Sequence, residues 1–97
     1  MKLYQIVFDI RGDVTHDYSK FYDYMCQFEN IQVCEHSFWF LSNKSVEELA
    51  KDIDVLMYKN PPTTDFFYIM EISPNVNGML VSSCWKWLKE KLKEEQV

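Results

Sequence analysis

A chain of 97 residues has room for one domain and one hydrophobic core, because domains run from about 50 to 250 residues. Hydrophobic residues at 47% and aromatics at 16% supply that core and exclude a disordered chain. The formal net charge of −5, from 10 Lys and Arg against 15 Asp and Glu, repels polyanions and disfavours non-specific binding to nucleic acid.

No apolar run approaches the roughly 18 residues of a membrane span, and the start of the chain lacks the pattern of a secretory leader. A cytosolic protein with no membrane partner is expected. Three cysteines, Cys26, Cys34 and Cys84, form an odd set without CxxC spacing. That argues against a disulfide framework and a zinc cluster, and for reduced, mostly buried thiols.

Leu3 to Ile10 alternates as a strand with two largely apolar faces and stops at the turn-forming Arg11-Gly12-Asp13. Tyr18, Phe21, Tyr22, Met25 and Cys26 then recur at helical spacing, with Thr15 or Asp17 available as cap. Residues 31–42 are β-branched and aromatic and predict two short strands meeting near Glu35-His36. Ser45-Val46-Glu47-Glu48 fits a capping box and opens a second helix carrying Leu49, Ile53, Leu56 and Met57. Asn60-Pro61-Pro62 breaks that helix, and Phe66 to Ile72 reads as a strand with Phe66, Tyr68, Met70 and Ile72 on one face. A last helix over about residues 81–95 places Val81, Cys84, Trp85, Leu88 and Leu92 on one stripe.

The first six elements make a βαββαβ unit, so the whole chain is predicted as one α+β domain, a ferredoxin-like antiparallel sheet with an added C-terminal helix. Right-handed crossovers put the first two helices on one side of the sheet. The other side is left to receive Leu3, Val7, one pair from Phe38/Phe40 or Trp39/Leu41, and Phe67 with Ile69. That patch is too large to stay wet, so either the last helix or a second subunit must cover it. Val7, Phe38, Trp39, Phe67 and the off-stripe Trp87 are the expected interface residues of a homodimer.

Val7-Phe8-Asp9-Ile10 resembles the first strand of the CRISPR-associated protein 2 family, which ends in Tyr-Asp or Phe-Asp. Glu35-His36-Ser37-Phe38-Trp39-Phe40-Leu41 looks like that family's Ser-Val-Phe-Glu region, and Glu47-Glu48-Leu49 and the strand from Asp65 follow at similar distances. The likeness spans about residues 2–72. It implies a ferredoxin-like fold and a homodimer joined through sheet faces. It also implies, as in some members, a metal-dependent nuclease, or, as in others, a scaffold that holds DNA. The family's metal-binding aspartate maps onto Asp9, and virulence-associated protein D, a related ribonuclease lineage, has a similar first strand. The chain departs from the family in having one Arg, Arg11, a negative charge, and a Trp-containing helix where the family has a short last strand.

Asp9 is accordingly the expected catalytic carboxylate, and Asp9, Asp13 and Asp65 the expected ligands of Mg²⁺ at one edge of the sheet. The alternative is that Asp9 caps a loop or pairs with Arg11. His16 and His36 are the histidines that could serve as a general base, and Cys34 with His36 would make only half a metal site. No Walker loop or GxGxxG motif is present. Trp85, Trp87, Tyr58 and Tyr68 offer stacking surfaces, but Lys86, Lys89, Lys91 and Lys93 alternate with Glu90, Glu94 and Glu95 as a solvated helix face would. A protein-interaction module of another kind, an acidic inhibitor or regulator that binds a protein partner through aromatic surface, is the alternative to the nuclease.

Overall fold

The structure, a computed structural model, describes residues 1–12 and 15–95. Seven elements follow in the expected order: β1 (Lys2–Asp9), α1 (Ser19–Cys26), β2 (Asn30–Cys34), β3 (Ser37–Ser42), α2 (Val46–Asp54), β4 (Phe66–Glu71) and α3 (Ser82–Glu95). The strands form one four-stranded antiparallel sheet in the order β2-β3-β1-β4, a ferredoxin-like arrangement with an extra helix. β1 is central because both of its faces are apolar, and it pairs with β3 on one side and β4 on the other.

Local chemistry accounts for the ends. At α2 the Ser45 hydroxyl accepts from the Glu48 N–H at 3.2 Å, while Glu48 accepts from the Ser45 N–H at 3.3 Å. At α1 the residue before the helix, Tyr18, makes no side-chain cap. Asp17 does that work one position earlier, accepting from the Ser19 N–H at 2.9 Å and the Ser19 hydroxyl at 2.5 Å. This holds the Asp17 carboxyl below its usual pKa.

Two cores lie on opposite sides of the sheet. On one, Phe21 and Met25 of α1 and Leu49 and Ile53 of α2 pack on Tyr4, Ile6, Phe8, Phe38 and Phe40. On the other, Cys84 and Leu88 of α3 pack on Leu3, Trp39 and Leu41. The chain's own last helix therefore covers much of the second face, burying side chains that would otherwise cost about 25 cal/mol per Å² of apolar surface left in water.

Several expected positions are corrected by the register. Phe67 and Ile69 lie directly opposite Phe8 and Ile6. Residues paired across an antiparallel ladder share a face, so Phe67 and Ile69 belong to the α1/α2 side. Phe38 is also in that core, and Trp39 is buried beneath α3, so neither is open to a second subunit. Trp87 packs against the α3-side core, with the Lys91 ammonium 6.0 Å above its ring. Of the five expected interface residues, Val7 alone sits on the part of the second face that α3 leaves bare. The thiols are corrected too: Cys84 is buried, whereas Cys26, in the last turn of α1, and Cys34, at the end of edge strand β2, are exposed and free.

Candidate functional site

Where β1 runs out, the chain turns back over the start of β4, and four polar groups converge on the carboxylate of Asp65, the one buried carboxylate among the described residues. One of its oxygens accepts from the backbone N–H groups of Arg11 at 2.5 Å and Gly12 at 2.9 Å. The other accepts from the Tyr58 N–H at 2.8 Å. The Tyr18 hydroxyl donates to the same carboxylate at 2.7 Å and accepts from the Gly12 N–H at 2.9 Å. Asp65 in turn donates its own N–H to the Tyr58 carbonyl at 2.8 Å.

Burial pushes the Asp65 carboxyl up, but the Tyr18 hydroxyl and the N–H groups of Tyr58, Arg11 and Gly12 outweigh it and hold the pKa below the ordinary 3.8. The residue stays ionised as a knot that ties the β1–α1 loop to the α2–β4 loop. Gly12 is required there. A side chain at this position would collide with the Tyr18 hydroxyl and come within 2.9 Å of Tyr58 Cβ. His16 completes the wall: its Nε2 lies 3.0 Å from the Leu56 carbonyl oxygen, and its ring meets Tyr18 edge-on at 4.4 Å.

Asp9 is placed differently. Its register partner is Phe66, so it shares the α3 side of the sheet with Phe66, while Asp65, just before β4, is drawn to Tyr18 and to the backbone of Arg11, Gly12 and Tyr58. The Asp9 carboxylate is half exposed and accepts from Arg11 Nε at 2.8 Å. The Arg11 guanidinium rests over the Phe66 ring at 4.6 Å. The two carboxylates thus have different partners: the Arg11 side chain for Asp9, and the Tyr18 hydroxyl with three backbone N–H groups for Asp65.

These residues do not fit a Mg²⁺ centre within one chain. Asp65 has its lone pairs taken by donors of its own chain, Asp9 is paired with Arg11, and Asp13 lies outside the described residues. Among the described residues no group of three or more His, Cys, Asp and Glu side chains could hold a metal ion. His36 stands in the β2–β3 turn, exposed, with Glu35 at 4.0 Å and the Phe8 ring edge-on at 5.9 Å.

The sequence reading missed the bare strip beside Asp9. β4 is an edge strand, and on the α3 side its Phe66, Tyr68 and Met70 are 54%, 54% and 45% exposed. Opposite them on β1 stand Asp9, Val7 and Gln5, and Gln5 donates to the Ser37 hydroxyl at 3.1 Å. Their period-2 alternation was visible, but which side would be bare depends on where α3 lies.

Compared with known proteins, the chain matches no family model, no curated protein and no solved structure. Among the described residues no helix is long and apolar enough to cross a membrane.

Proposed function

We propose that the chain is a protein-interaction module that pairs with a second copy of itself through β4. One observation carries this reading: an edge strand whose bare face presents Phe66, Tyr68 and Met70, half exposed, with no charged side chain between Phe66 and Met70. Edge strands are normally blunted by charge, Pro or a bulge because their free N–H and C=O groups recruit other strands. None of these devices interrupts Phe66 to Met70.

The occupant is a second copy because the strip suits itself. Its charges, Asp9 and Arg11, neutralise one another at 2.8 Å, so a twofold axis through the strip brings no net repulsion despite the acidic chain. Antiparallel pairing of two β4 strands would join two sheets into one and shield the aromatic rings. The exposed free thiols of Cys26 and Cys34 suit a reducing compartment such as the cytosol.

Light scattering on the purified chain tests the pairing, with the expected mass twice 11.7 kDa. Tyr68→Lys is expected to give a folded species of half that mass, since Tyr68 is half exposed and lies outside both cores. A wild-type chain that stays monomeric at high micromolar concentration sinks the proposal.

A second reading keeps the activity that the family resemblance implies, a nuclease acting through Asp9. The observation in its favour is that Asp9 is half exposed and on the same bare face, so self-pairing would draw two copies of it toward one axis. Cleavage of labelled RNA and DNA in Mg²⁺ or Mn²⁺ decides it, with Asp9→Ala expected to abolish cutting. An inactive wild type, or a mutant that cuts equally well, ends this second reading and leaves the pairing untouched.

A further inference from the structure

α3 opens beside a cavity of about 600 Å³, a size within the range of about 300–1,000 Å³ that small-molecule sites occupy. The loop before the helix contributes Asn77 and Gly78, and the helix contributes Ser82, Trp85, Lys86 and Lys89. Those four helix residues stand at i, i+3, i+4 and i+7 and so share one face. The indole of Trp85 is half-buried: it packs against the Leu3, Trp39 and Leu88 cluster and also lines the cavity, which holds the ring in place.

Charge makes the cavity selective. Lys91 on the same helix is paired with Glu29, whereas among the described residues Lys86 and Lys89 enter no ion pair. Two lysines outside any ion pair therefore line the same cavity as the half-buried Trp85 ring, in a chain whose overall charge is −5. The Ser82 hydroxyl adds a polar group at the same wall. A ring stacked on Trp85 would lie on the helix face that carries both lysines, and a doubly negative group tethered to that ring could meet them without displacing any ion-pair partner.

We infer that this cavity binds a planar heteroaromatic ring carrying a dianionic group, the chemistry of a nucleoside monophosphate. The site uses α3 and the loop before it, and no residue of the bare β4 face. Lys86 and Lys89 are exposed, as the solvated helix face expected from the alternating Lys and Glu residues requires, and they line the cavity as well.

The test is a titration of the isotopically labelled full chain with adenosine monophosphate, read by amide and indole N–H chemical shifts. Saturable shifts centred on the Trp85 indole, Gly78 and Ser82 are expected. Adenosine alone and inorganic phosphate alone are expected to bind at least about tenfold more weakly, because each offers only half of the recognised chemistry. The Lys86→Gln, Lys89→Gln double variant changes two exposed side chains, should fold as wild type, and should lose at least about tenfold in affinity. No saturable shift with the monophosphate overturns the inference. So does equal binding of either half, or a double variant that binds as tightly as wild type.

Discussion

Tyr18 and Asp65, 47 residues apart, are joined by a hydrogen bond of 2.7 Å from the phenol to the carboxylate, and through it the loop leaving β1 is fastened to the start of β4. Hydrogen bonds to charged groups contribute about 1.5–3 kcal/mol each. Tyr18→Phe is therefore expected to destabilise the fold by about 2 kcal/mol, and Asp65→Asn by about 3 kcal/mol, measured by urea unfolding. Equal stability of all three proteins would show that the knot does not hold the loops.

The same carboxylate sets an acid limit. Its folded pKa lies below the unfolded value of 3.8, so its contribution is fully present above that value and is lost as pH falls through the folded pKa. The stability difference between wild type and Asp65→Asn is expected to shrink on acidification below about pH 4, as measured by unfolding curves at stepped pH.

Gly12→Ala brings a methyl group against the Tyr18 hydroxyl and the Tyr58 side chain. Overpacking of this kind costs about 1–3 kcal/mol. The expected signature in hydrogen exchange is faster exchange of the Arg11 and Gly12 amides, whose acceptor is Asp65.

Arg11 provides the contrast. Its backbone N–H belongs to the knot, but its side chain and that of Asp9 are about half exposed, and exposed ion pairs contribute about 0–1 kcal/mol. Arg11→Gln should lower stability by no more than about 1 kcal/mol, so a loss comparable to that of Asp65→Asn would contradict the division between backbone and side-chain roles.

Leu88 is fully buried where α3 meets Leu3, Trp39 and Leu41. Leu88→Ala is expected to cost about 2–5 kcal/mol and to shift the emission of the buried Trp39 toward the red as the cover loosens. Unchanged stability and emission would mean that α3 is not what shields this face.

The order of elements, the α2 capping box and the helix-side positions Phe21, Met25, Leu49 and Ile53 could all be read along the chain. Each rests on residues close in sequence, where periodicity and side-chain-to-backbone hydrogen bonds act locally. Residues 31–42 divide into two strands for the same reason, with the turn at Glu35 and His36 between β2 and β3. What tertiary structure alone decided was facing. Phe67 and Phe66 are equally apolar, and only the register of β4 against β1 sends the first into the helix-side core and leaves the second bare beside Arg11. The donors that surround Asp65 come from three separate stretches of chain, which no local pattern could bring together. Strand pairing has a period of two, so a single step of register exchanges the faces, and that step is set by long-range hydrogen bonds rather than by neighbours in sequence.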